Sequence, residues 1–223
     1  MKKITIIGAF MMLAMLSLAN IITPQIKGND IIIKHQFYTI SFNPKFHEAN
    51  WSAMEIMGSN VNSNNAKRSN RFIADPLCQL TQATDKDYRK SGYDRGHLSA
   101  AEDFDFSQTA MDQSFYYTNV CPQVPGLNRG EWKDLEAYSR SLAQKYGQVW
   151  VITGVYFDSY TNYKTIGPNQ IGVPSEFWKV IIFQQNGKYQ YLCYLMPNQD
   201  VKDSFQDYQI SLQKFQTETG YNF

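Results

Sequence analysis

Two β-rich runs flank an Asn-Gly pair near the C-terminus, and this arrangement limits the fold more than any other stretch. Phe177-Trp178-Lys179-Val180-Ile181-Ile182-Phe183 precedes Asn186-Gly187, and Tyr189-Gln190-Tyr191-Leu192-Cys193-Tyr194 follows it. Asn-Gly accepts the positive φ angles that a two-residue type I′ turn demands, so the two runs are expected to close as an antiparallel hairpin. A hairpin of that length needs further strands beside it to be stable in water.

Those strands are present in the sequence. Ile31-Ile32-Ile33 and Phe37 to Phe42 are β-rich and lie ahead of an Asn43-Pro44 turn; Trp51 to Ile56 resumes the extended pattern, and residues 148–157 add another run. Residues 58–76 are polar and read as a long loop. Residues 83–98 read as a polar surface loop entering a short strand, with the charges of 85–90 on a solvated face, and the acidic 101–106 as a surface loop after it. Trp132, Leu135, Tyr138, Leu142 and Tyr146 recur at helical spacing, and Gly147 ends the pattern as a C-cap. That helix starts either with an Asn128–Glu131 capping box or near Pro125, with Asn128 in its first turn. Residues 203–220 read as a closing helix with Tyr208, Ile210, Leu212 and Phe215 on its apolar face. His35 and His47 read as surface or partly packed residues, Trp132 and Trp178 as core. With no internal repeat and no second linker, an α+β fold in one domain is expected, and 223 residues suffice for its core.

The first residues follow a different pattern. Lys2-Lys3, an apolar run, and Ser17-Leu18-Ala19 together have the form of a secretory leader cut after Ala19. The expectation is a leader over 1–19, a domain over 20–223, a periplasmic or secreted destination, and no stable membrane association once the leader is gone. Losing Lys2 and Lys3 would take the formal charge from +1 to −1. So balanced a chain lacks the basic stripe of a sequence-specific DNA binder, and any contact with nucleic acid would rest on a local cationic cluster and a metal. Cys78, Cys121 and Cys193 match no zinc spacing, and at least one is expected as a buried thiol.

One of only three histidines sits in Asp94-Arg95-Gly96-His97. An imidazole can take a proton from water near neutral pH, an arginine can meet a phosphate, and a glycine lets the backbone turn tightly. Alone, the four residues could be a turn with an ion pair. The block from Tyr116 to Glu136 adds Asn119, Gln123, Asn128 and Glu136. An asparagine oxygen suits Mg²⁺, which keeps most of its waters and takes few protein ligands. A histidine base beside such an asparagine makes a compact hydrolytic site.

These two blocks resemble the DNA/RNA non-specific endonuclease family, the ββα-metal (His-Me finger) nucleases. The family signature is intact at Asp94-Arg95-Gly96-His97. Its second block reads here as Thr118-Asn119, Pro122-Gln123, Leu127-Asn128, Trp132 and Leu135-Glu136. The likeness extends outward through 38–56, 149–157 and 173–182. The resemblance implies a mostly antiparallel sheet flanked by helices, and metal-dependent hydrolysis of DNA and RNA without sequence specificity. It implies His97 as general base and Asn128 as the one protein ligand of Mg²⁺, with Mn²⁺ or another divalent ion able to substitute. It implies that Asn119 and Glu136 hold His97 or the waters around the ion, and that Asp94 and Arg95 shape the site and contact phosphate or water. An arginine from the preceding loop is implied too; Arg68 and Arg71 are both candidates, with Arg68 preferred. An inhibitor protein or a second copy of the chain is an open partner. Two other readings stay open: a catalytically silent nucleic-acid-binding protein, and a phosphodiesterase for small substrates on the same fold.

Overall fold

The computed structural model describes residues 22–25, 28 and 30–223; the segment read as a leader, 1–19, lies outside them. Its strands are β1 (Ile31–Lys34), β2 (Tyr38–Asn43), β3 (Glu48–Met57), β4 (Asp94–His97), β5 (Val120–Gln123), β6 (Gln148–Tyr156), β7 (Thr165–Ile166), β8 (Ile171–Gly172), β9 (Glu176–Gln185), β10 (Lys188–Pro197) and β11 (Gln209–Ile210). Its helices are α1 (Asp85–Tyr88), α2 (Gln108–Ser114), α3 (Pro125–Arg129), α4 (Glu131–Tyr146) and α5 (Leu212–Thr219).

A seven-stranded antiparallel sheet, ordered β1-β2-β3-β6-β9-β10-β11, carries the molecule. The expected β9–β10 hairpin closes with Gln185 opposite Lys188, and Asn186 and Gly187 have φ of 53° and 73°. Alternation along the central strands feeds two apolar layers. Phe177 and Ile181 of β9 join Trp132 and Leu135 of α4 on one face; Trp178 and Val180 join Trp51, Ile152 and Phe215 of α5 on the other. Both Trp132 and Trp178 are fully buried, as expected of core residues. Among the described residues no helix is long and apolar enough to cross a membrane.

Several expectations are corrected. The closing segment is not one helix: a 3-10 turn (Phe205–Tyr208) leads into β11, where Ile210 pairs with Cys193, and Ser211 caps α5 by accepting from Lys214 N. Edge pairing and the serine cap override the helical spacing. The charged 85–90 stretch holds α1 behind a Thr84–Asp87 capping box, and Asp87 is buried, accepting from Thr84 and Asn169. The acidic 101–106 stretch is a 3-10 turn that buries Asp103 and Phe104. His35 is buried too, with Nε2 2.9 Å from Asp75 Oδ2. All three cysteines are buried and unpaired.

Candidate active site

β4 and β5 form a separate two-stranded ribbon on the α4 side of the sheet, with Asp94 opposite Gln123 and His97 opposite Val120. The chain turns at once from β5 into α3, whose first position is Pro125, a residue preorganised for a helix start. Gly130, at φ −104° and ψ −121°, breaks α3 from α4. Neither expected start holds for the long helix, which begins at Glu131 behind Gly130; a separate short helix begins at Pro125, and Asn128 lies near its end instead of capping α4 or sitting in its first turn. The sequence ββα therefore brings His97, at the end of β4, and Asn128, on α3, to one cleft of about 480 Å³.

His97 is 9 % exposed. Its ring lies 5.4 Å from Phe72 and 5.0 Å, edge-on, from Phe115. Among the described residues Nε2 is buried without a hydrogen-bond partner, which leaves Nδ1 as the nitrogen able to face the cleft. Burial, and then the charge of Arg68, push the imidazole pKa down to about 3. The ring is neutral across the physiological range, with a lone pair free to accept a proton.

Asn128 donates from Nδ2 to Asp94 Oδ2 at 2.9 Å, and Arg129 grips the same carboxylate through two hydrogen bonds of 2.6 and 2.7 Å. Burial raises the Asp94 pKa, but these hydrogen bonds and the charges of Arg129 and Arg95 hold it below its usual value. With its nitrogen committed to Asp94, Asn128 keeps Oδ1 as a free acceptor, a hard oxygen donor suited to Mg²⁺. Among the described residues no group of three or more His, Cys, Asp or Glu is arranged to hold a metal. A divalent ion would therefore depend on few protein oxygens and on water, which fits Asn128.

Arg95 is anchored by Asp85 of α1 at 2.6 Å and lies over the rings of Phe72 and Tyr88. Arg68 lines the cleft and lies over the Phe115 ring at 5.4 Å; Arg71 is exposed and does not line it. Of the two candidates, the geometry brings only Arg68 to His97. Glu136, one turn beyond Trp132 on α4, also lines the cleft, and burial, opposed by Lys179, raises its pKa to about 7. Asn119 does not behave as expected. Its buried amide accepts from Ser99 N at 3.0 Å and donates to the carbonyls of Ser99 and Ser114, so it braces the backbone after His97; among the described residues it makes no hydrogen bond to the ring and does not line the cleft. Sequence reasoning missed Phe72 and Phe115, the walls of the imidazole slot, and Arg129 and Lys133 on the rim. Arg129 adjoins Asn128 and was within reach; the two phenylalanines carried no signal.

The family profile described as DNA/RNA non-specific endonuclease matches residues 19–223. Human mitochondrial endonuclease G is 38% identical over 188 residues, covering 80% of this chain and 62% of the relative. Nuclease C1 of Cunninghamella echinulata is 33% identical over 205 residues, covering 86% and 81%. A solved structure of an EndoG/EndoGI complex, concerned with EndoG inhibition, superposes with a TM-score of 0.81 at 32% identity, over 88% of this chain and 86% of that one. The chain spans about three fifths of the length of the human and bovine endonuclease G relatives. The human, bovine and worm relatives are all named mitochondrial, which overturns the expectation of a periplasmic or secreted destination. That expectation rested on the composition of the first nineteen residues alone, and a basic-apolar start does not by itself fix a compartment.

Proposed function

The chain belongs to the DNA/RNA non-specific endonuclease family, with the ββα-metal nuclease fold and that family's use of a divalent metal ion, and from this premise we propose that it is a Mg²⁺-dependent endonuclease cleaving DNA and RNA without sequence specificity. Residues 20–223 act as one catalytic domain. The observation that carries the reading is the pairing, across one cleft, of a neutral His97 with an Asn128 whose oxygen is free.

His97 takes a proton from a water placed in line with the scissile phosphorus; the water attacks, the bond from phosphorus to the 3′-oxygen breaks, and that oxygen takes a proton from water in the cleft, giving a 5′-phosphate and a 3′-hydroxyl, after which His97 returns its proton to solvent. Burial keeps the ring uncharged until that moment, and Phe72 and Phe115 fix its plane. Mg²⁺, or Mn²⁺ in its place, would be held through Asn128 Oδ1 and supplies positive charge against the negative charge that builds on the phosphate oxygens. Asp94 orients Asn128 through its amide nitrogen. Arg95, locked by Asp85 and two rings, presents a preformed positive charge to a phosphate, and Arg68 lines the same cleft. Glu136 accepts hydrogen bonds from water in the cleft. Contacts of this kind reach phosphate and sugar, which carry no base sequence.

The test is incubation with supercoiled plasmid, with RNA and with a small chromogenic phosphodiester, each with Mg²⁺, with EDTA, and with His97→Ala. Polymer cleavage that needs Mg²⁺ and His97 is expected. Cleavage of the small ester alone, or of nothing, would reject the reading.

A further inference from the structure

The reaction as described makes no use of a lysine buried beneath it. Lys179 lies on β9, is 2 % exposed, and donates from Nζ to Thr153 Oγ1, its register partner on β6, at 2.6 Å. Phe177 and Ile181 flank it in the layer facing α4, where β9 would otherwise carry an apolar side chain. Its Nζ is 4.8 Å from the centre of the Trp132 ring. An ammonium in such a place persists only if negative charge opposes it.

The neighbours supply that charge unevenly. Trp132, Glu136 and Arg140 follow one another at single-turn intervals along α4 and so share a face. Arg140 is engaged on both sides of its guanidinium, by Asp103 at 2.9 Å and Glu102 at 3.0 Å from the 3-10 turn after β4. Lys179 makes its hydrogen bond to a hydroxyl instead. Burial dominates both groups, lowering the Lys179 pKa and raising that of Glu136; against it, Glu136 is the charge that most favours protonated Lys179, and Lys179 the charge that most favours the Glu136 carboxylate, ahead of Arg140 and against Asp103 and Glu102.

We propose that Lys179 is a positioning residue of the nuclease reaction, favouring the ionised form of the cleft-lining Glu136 from beneath α4 without meeting substrate. The inference rests on the proposed nuclease function. It is tested by measuring kcat and KM on plasmid DNA across pH for the full chain and for Lys179→Met, Lys179→Arg, Glu136→Gln and the Lys179→Met/Glu136→Gln double variant. Lys179→Met is expected to lower kcat about ten- to a hundredfold with KM held within about twofold, to move the acid limb of the kcat profile to higher pH, and to be largely rescued by Lys179→Arg. In the Glu136→Gln background Lys179→Met should change nothing further. A folded Lys179→Met enzyme with wild-type kcat and an unmoved acid limb, or an equal loss in the Glu136→Gln background, would overturn the proposal. If Lys179→Met does not fold, Thr153→Val, which frees the ammonium from its anchor, carries the same test: lower kcat with a displaced acid limb supports the pairing, and no change overturns it. Wild type inactive on both polymers would reject the nuclease function alone. The pairing would then be judged by carbon-13 titration of the Glu136 carboxyl, which must shift upward in Lys179→Met or Thr153→Val and overturns the pairing if it does not.

Discussion

His97 and Glu136 share a cleft and are pushed in opposite senses by the same cause. Burial disfavours charge on both, so the histidine pKa falls to about 3 and the glutamate pKa rises to about 7. The proposed base is thus uncharged at any working pH, while the carboxylate is only half formed near neutrality. The sign of the pH dependence follows. If the ionised Glu136 is the working form, kcat/KM on plasmid rises with pH up to about 7 and then levels, and Glu136→Gln removes that limb along with most of the activity. A limb that survives in Glu136→Gln would assign it to another group. Removing the cation with Arg68→Ala should raise the His97 pKa toward its ordinary value, visible in the imidazole proton resonances. His97 and Asn128 were legible as candidates because a histidine able to take a proton and an asparagine able to offer a hard oxygen are chemically unusual company. What was not legible was the charge state of the histidine, which depends on walls contributed by Phe72 and Phe115 from distant segments.

At the scale of elements, the site depends on a ribbon that cannot be thickened. An added Cβ at Gly96 would lie 2.6 Å from the Gln123 Cβ across the β4–β5 ribbon, and Gln123 is itself fully buried. Gly96→Ala should therefore cost about 1–3 kcal/mol in denaturant unfolding and displace His97, with a loss of activity larger than the loss of stability explains. Unchanged unfolding and activity would mean that the ribbon yields more readily than its packing indicates. The sheet strands and α4 were readable from period and turn chemistry, because each is specified by neighbours in the chain. α1 and the 3-10 turn holding Asp103 were not. Their polar residues are buried by partners far away in sequence, Asn169 for Asp87 and Arg140 for Asp103, and a stretch of charges looks solvated until those partners are known. The helix expected over 203–220 failed for a related reason: Ile210 satisfies the edge of β10, a demand set by tertiary pairing and absent from local spacing.

For the molecule as a whole, a formal charge of +1 cannot draw a polyanion by net attraction. The attraction has to be local, and four cations line the cleft: Arg68, Arg95, Arg129 and Lys133. Two of them are partly spent, since Arg95 is paired with Asp85 and Arg129 with Asp94. Among the described residues Arg68 and Lys133 form no ion pair with a carboxylate, so they should carry most of the phosphate neutralisation. Each phosphate contact on duplex DNA contributes roughly −0.9 to the slope of log affinity against log salt. Binding of duplex DNA to His97→Ala, measured from low to high salt, should give a slope of about −2 if those two dominate, and about −4 if all four engage. Lys133→Ala should reduce the slope by about 0.9 and weaken binding to every sequence alike, since a phosphate contact carries no base information. A slope unaffected by Lys133→Ala would place the polyanion elsewhere on the surface, and a loss confined to some sequences would mean that the cleft reads bases, against the non-specific reading of the site.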